Sequence, residues 1–156
     1  MNEVQTQEEK VIVFQLNEEE YGVPVQQVGS IERMQHITRV PQTSDFVKGV
    51  INLRGVVTPI IDLRARFNLE EREHSHSTRI IITHIEDMAV GLIVDEANDV
   101  IDIPPEAIEP APEVVGTVHV EYIRGVAKLD KRLLILLNLP KVLSADEVDE
   151  LKSIER

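Results

Sequence analysis

The strongest constraint on this chain is an internal duplication. Near its start, Val11-Ile12-Val13-Phe14-Gln15-Leu16, a polar turn at Asn17-Glu18-Glu19-Glu20, and Tyr21-Gly22-Val23-Pro24-Val25 form the pattern of a β-hairpin. Pro24 cannot donate to a ladder, so the return strand ends there or lies at an edge. Arg79-Ile80-Ile81-Ile82-Thr83-His84-Ile85, the turn Glu86-Asp87 and Met88-Ala89-Val90-Gly91-Leu92-Ile93-Val94 repeat the plan, with Gly22 and Gly91 in corresponding places 69 residues apart. A second anchor, Leu53-Arg54-Gly55-Val56 echoed by Ile123-Arg124-Gly125-Val126, is spaced by 70 residues. The third, Ile60-Ile61-Asp62-Leu63 against Leu136-Leu137-Asn138-Leu139, is spaced by 76. That growing offset predicts a longer hairpin loop through Lys128-Leu129-Asp130-Lys131-Arg132, and the second anchor predicts Gly125 at a turn that calls for positive φ. The repeat is a β-module of roughly 70 residues.

Each copy offers short strands with turn signals between them and little helical periodicity, the all-β pattern of a small barrel or sandwich, for which two packed barrels are the simplest architecture. At 156 residues the chain has the size of one ordinary domain with a core of its own. Because 42% of its residues are hydrophobic and only 3% aromatic, that core must be built from Val, Ile and Leu, which favour strands. Glu70-Glu71-Arg72-Glu73-His74-Ser75-His76-Ser77 has no apolar residue and marks the boundary between a first module at 11–70 and a second at 78–140, with exchange of strands between them left open. The last segment, 144–156, differs. Ser144-Ala145-Asp146-Glu147 is a capping box, Leu143 and Val148 can staple across it, and Val148, Leu151 and Ile154 give a helix one narrow apolar stripe.

Several function classes find no support. Without cysteine there are no disulfides and no thiolate chemistry. The polar, acidic first ten residues lack the blocks of a signal peptide, and no segment approaches 18 uninterrupted apolar residues, so a cytoplasmic protein with no membrane insertion is expected. A formal net charge of −12 argues against nucleic acid and anionic lipid as partners. No GxSxG, P-loop or GxGxxG run occurs, so phosphate-cradling chemistry finds no support and no cofactor is expected. His74 and His76 could place two imidazoles on one face of a strand for a metal, but between serines in a polar junction they read as a solvated loop. Glu18-Glu19-Glu20 and Asp146-Glu147 likewise read as turn and cap residues.

The informative segment is Phe46-Val47-Lys48-Gly49-Val50-Ile51-Asn52-Leu53-Arg54-Gly55-Val56-Val57-Thr58-Pro59-Ile60-Ile61-Asp62-Leu63. Its pattern predicts a strand bracketed by Gly49 and Gly55, with Asn52 and Arg54 alternating with Ile51 and Leu53 across the faces. The segment closely resembles the signature of the CheW family of chemotaxis coupling proteins. Glu20-Tyr21-Gly22, Val90-Gly91-Leu92-Ile93-Val94-Asp95, Ala97-Asn98-Asp99-Val100 and Pro110-Ala111-Pro112-Glu113 extend the resemblance over residues 11–143.

The resemblance implies two five-stranded barrels and a non-enzymatic adaptor, recruited to chemoreceptor arrays beneath the inner membrane, that joins receptor tips to the regulatory domain of the histidine kinase CheA. Carried over by position, it implies a receptor-facing groove involving Val28, Gly49, Arg54, Ile80 and Val100, with Glu109 and Val114 nearer the kinase. The residues alone leave Val28, Ile80 and Val100 open to a core role and Gly49 to a simple turn. Arg54, beside a glycine and among apolar residues, should be ion-paired or presented to a partner. Where the family usually has an acid, this chain has Ser30 in Val28-Gly29-Ser30-Ile31-Glu32, so Glu32 or another group must stand in if Arg54 is paired. The competing readings are the regulatory domain of a CheA-type kinase, a docking scaffold in a related signalling array, and a small hydrolase on a barrel scaffold. A chain that starts at Met1 and has no ATP-binding or phosphate-accepting domain favours the adaptor.

Overall fold

In the computed structural model, residues 8–111 and 120–155 are described. The strands run in chain order β1 (Glu9–Leu16), β2 (Glu19–Pro24), β3 (Val28–Arg33), β4 (Val47–Leu53), β5 (Val56–Asp62), β6 (Arg79–Ile85), β7 (Met88–Val94), β8 (Glu96–Ile103), β9 (Ile108–Glu109), β10 (Ile123–Leu129) and β11 (Arg132–Leu137). Three helices accompany them, α1 (Leu63–Arg66), α2 (Leu139–Val142) and α3 (Ala145–Glu155). Four hairpins have two-residue turns. Positive φ at Asn17 and Glu18, at Arg54 and Gly55, and at Glu86 and Asp87 gives three of them the twist that suits paired strands, and Asp130 opens the fourth.

The strands form a six-stranded sheet in the order β8-β1-β2-β11-β10-β9 and a five-stranded sheet in the order β3-β6-β7-β5-β4. Each sheet joins the first hairpin of one repeat to the last hairpin of the other, β2 lying parallel to β11 and β7 parallel to β5. Both sheets close in the same way. The chain leaving β3 returns at Thr38 to exchange two 2.9 Å hydrogen bonds with Val50 of β4, and the chain leaving β8 returns as β9 against β10. Each sheet is thus a five-stranded ring sealed by the segment that follows its edge strand, as the all-β expectation requires.

Pairing also corrects the repeat. Leu53-Arg54-Gly55-Val56 is a hairpin tip, whereas Ile123-Arg124-Gly125-Val126 lies inside β10, so the two do not correspond. The true counterpart of Arg124-Gly125-Val126 is Lys48-Gly49-Val50, and the whole of β4 and β5 maps onto β10 and β11 with one spacing of 76. The β10–β11 loop is therefore no longer than the β4–β5 loop. A register shift falls between Val47 and Gly49 in one sheet and between Ile123 and Gly125 in the other. These bulged glycines admit the closing segment. A Cβ on Gly49, whose φ is +140, would sit 2.0 Å from the Thr38 carbonyl oxygen, and one on Gly125 would sit 2.9 Å from that of Glu109. Gly125 has no need of positive φ; backbone proximity is what requires glycine there.

Alternation along the strands divides the apolar residues among three clusters. Ile51, Ile60, Ile80, Ile82 and Ile93 form one, and Val11, Val13, Ile103, Ala127, Leu134 and Leu136 form its counterpart in the other sheet. The opposite faces, including Ile12, Phe14, Ile81 and Ile85, meet in one large cluster between the sheets. All five aromatic residues lie in this seam. Phe14 stacks on Tyr21, Tyr21 contacts Phe67, and Phe67 stacks on Tyr122. The Arg66 guanidinium lies 4.9 Å from the Phe46 ring centre and 5.1 Å from that of Tyr122.

The capping box forms as expected, the Glu147 amide donating to the Ser144 hydroxyl and the Ser144 amide to the Glu147 carboxylate. Val148 and Leu151 are buried against the seam, and Arg66 reaches Glu147 at 3.0 Å, fastening α3 to α1.

Candidate functional site

Arg54 occupies the tip of the β4–β5 hairpin, not a strand face. Its φ of 52 is left-handed, and the Asn52 side chain stabilises the tip by accepting from the Gly55 amide at 2.8 Å. The side chain is 68% exposed and its guanidinium meets Glu32 at 3.2 Å. Glu32, on β3, is the acid that stands in for the one missing at Ser30. The two side chains share a face of β3, so the Ser30 hydroxyl donates to Glu32 at 2.7 Å. That hydrogen bond, with Arg54 behind it, holds the Glu32 carboxyl below the usual carboxylate range. Arg54 is therefore both ion-paired and presented to solvent, a case the two sequence alternatives kept separate.

The remaining candidates divide. Val28 is half-buried against the seam. Gly49 and Ile80 are buried, Gly49 beneath Thr38 and Ile80 inside the barrel of the five-stranded sheet, so neither offers a side chain to a partner. These three and Arg54 belong to the five-stranded sheet, whereas Val100 lies on β8 of the other. Glu109, in β9, is exposed and 3.6 Å from Lys128. Val114 falls outside the described residues. His74 and His76 are exposed in the 67–78 connection.

Exposed aliphatic side chains are more regular than the sequence suggested. Ile31 is 42% exposed and its counterpart Val100 is 51% exposed; Val57 is 45% exposed and its counterpart Leu133 is 51% exposed. Val56 adds a further apolar residue beside Arg54. Each barrel thus presents the same two aliphatic points on its surface. Strand alternation alone could not reveal them, because in so aliphatic a chain an outward Val or Ile looks like an inward one.

A buried polar group was also missed. Arg64, on α1, makes two hydrogen bonds of 2.8 and 2.7 Å to Asp95 and a third of 2.7 Å to the Glu70 carbonyl, and Asp95 accepts from the Asn17 amide. Burial works to raise the Asp95 carboxyl, but these donors outweigh it and hold it below its ordinary value. The network ties the connection after β5 to the β1–β2 turn and so fixes one barrel against the other. Asp62, which caps α1 through the Arg64 amide, is buried and belongs to no ion pair among the described residues, and burial pushes its carboxyl up against the weaker pull of Lys48.

Residues 10–147 match the CheW-like domain family. A chemotaxis protein CheW of Bacillus subtilis is 50% identical over 138 residues, covering 88% of each chain. One from Klebsiella aerogenes is 39% identical over 140 residues, 90% of this chain and 84% of the other. In the crystal structure of the scaffolding protein TtCheW from Thermoanaerobacter tengcongensis, the fold superposes with a TM-score of 0.84 at 37% identity, over 90% of this chain and 95% of that one.

Proposed function

The chain belongs to the CheW-like family and is a chemotaxis coupling adaptor, and from that premise we propose how it connects its partners. One surface, around the Arg54 hairpin tip with Glu32, Val56 and the half-buried Val28, receives the helical tip of a chemoreceptor, while Gly49 and Ile80 keep the barrel beneath it in shape. Val100 extends the contact onto the second barrel. The region of Glu109 and Val114 faces the regulatory domain of the kinase CheA. The protein carries out no catalysis and takes its place in the array through these contacts, on the cytoplasmic side; no described helix is long and apolar enough to cross a membrane.

The observation that carries this reading is the recurrence of exposed aliphatic residues at corresponding positions of both barrels, Ile31 with Val100 and Val57 with Leu133. A connector needs docking surfaces at two places, and a duplicated barrel provides them. Arginine is enriched at protein interfaces, whose buried cores are apolar.

Arg54→Ala tests the receptor surface. The exposed ion pair contributes little to folding, so the melting point should stay within about 2 °C of wild type. Calorimetry against a receptor tip should show an affinity loss of about thirtyfold, as truncation of an interfacial arginine commonly does. Normal melting with wild-type affinity would remove Arg54 from the surface.

A further inference from the structure

The two barrels carry corresponding cross-strand pairs at the ends of their first strands. In the six-stranded sheet, Lys10 of β1 lies opposite Asp102 of β8, and the charged ends meet at 2.9 Å. The counterparts in the five-stranded sheet are Arg79 of β6 and Arg33 of β3, which also lie directly opposite each other. Unlike charges so placed help a sheet and like charges oppose it. Carboxylates are not scarce in a chain of net charge −12, yet among the described residues neither arginine belongs to an ion pair. Glu32, the acid nearest Arg33 in sequence, lies on the other face of β3, engaged with Ser30 and Arg54.

The Arg79 guanidinium is fixed in place by donating to the carbonyls of His76 and Thr78 at 2.8 and 2.9 Å, contacts that orient it without neutralising it. The hollow here is lined by Arg33, Met34, Ser75, His76, Thr78 and Arg79, with no acid among them. Ile31, on the same face of β3 as Arg33, is one of the exposed aliphatic residues.

We propose that Arg33 and Arg79 form a clamp for a carboxylate side chain of a partner protein, one set beside an aliphatic residue that covers Ile31. Planar guanidinium forks suit a carboxylate held between them, and the adjoining aliphatic surface suits a protein better than a free anion. The surrounding negative charge disfavours a polyanionic partner. In the other barrel Asp102 already fills the corresponding place, so the clamp gives this barrel its own partner preference. The inference rests on the adaptor reading and deepens it by naming the chemistry of one docking surface.

The test is calorimetric binding of the CheA regulatory domain, and separately of a receptor tip, to wild type, to Arg33→Gln/Arg79→Gln, and to Arg39→Gln as a control outside the strand pair. The double variant should bind one of the two partners about tenfold more weakly, with a shallower salt dependence and a melting point no lower than wild type, while Arg39→Gln binds normally. Unchanged affinity for both partners would overturn the clamp. Unchanged affinity together with saturable shifts of the arginine side-chain resonances by inorganic phosphate would assign the site to a free oxyanion instead, which also overturns it. If wild type binds neither partner, the adaptor reading fails, and the clamp is then judged by glutarate. Saturable shifts at Arg33 and Arg79, absent from the double variant, would uphold its carboxylate chemistry, and their absence would refute it.

Discussion

The two barrels are built on one plan, and they differ where each has been given something of its own. Both are closed by a segment lying over a bulged glycine, but the fit is much tighter at Gly49 than at Gly125. Among the described residues, only the barrel of the five-stranded sheet is anchored by a buried arginine: Arg64 corresponds to Pro140 in the other half, and the buried N-cap Asp62 corresponds to Asn138. The outward pair is neutralised in one barrel and doubly positive in the other. Duplication therefore preserved the groups that close the rings, while charge diverged, and divergence of that kind lets two similar surfaces take different partners.

The largest expected effect breaks the comparison at its closing glycines. Gly49→Ala should cost more than about 4 kcal/mol, because a Cβ 2.0 Å from a backbone oxygen demands that the sealing segment move. Gly125→Ala, with 2.9 Å available and ordinary φ, should cost about 1 to 3 kcal/mol. Urea titrations that rank the two the other way would show that the segment sealing Gly49 yields more easily than the one sealing Gly125, against the tighter fit there. Next comes Arg64→Ala, which strands Asp95 and the Glu70 carbonyl and should destabilise the fold by about 3 kcal/mol; a loss below about 1 kcal/mol would mean the network does not join the barrels.

Smaller effects sharpen the comparison. Asp62→Asn gives the five-stranded barrel the residue its counterpart has. Burial raises this carboxyl in the folded state, so its ionised form is unfavourable there and protonation relieves the fold. The variant should melt about 2 to 4 °C above wild type at pH 7, an advantage that fades as the pH falls through the raised folded value toward the ordinary carboxylate range. An advantage that grows on acidification would contradict the assigned cause. Arg33→Asp should recreate the ion pair of the other barrel and gain at most about 0.5 kcal/mol at low salt. A gain that persists unchanged in high salt would not be electrostatic.

Much of this was legible in the residues. The hairpins, the capping box and the family signature are local patterns that depend on neighbours in sequence, and the duplication shows in the spacing at which such patterns recur. Spacing misled at Arg124-Gly125, because two glycine-containing tetrapeptides looked alike while only pairing across strands distinguishes a hairpin tip from a bulge. The Arg54 site was half legible: the missing acid at Ser30 was visible, but that Glu32 replaces it depends on β3 approaching the hairpin tip around the ring. Arg64 with Asp95, and Arg33 with Arg79, join residues far apart along the chain, so nothing nearby in sequence announced them. The aromatic seam was hidden for the same reason; composition showed that rings were few and not that all lay between the barrels.

The central claim is that this duplicated barrel connects two partners at once. Sedimentation velocity on an equimolar mixture of this protein, a chemoreceptor tip and the CheA regulatory domain tests it directly. The account predicts one boundary containing all three components, faster than either pairwise complex with this protein. Two partners that exclude each other, or a protein that sediments alone in the presence of both, would contradict it.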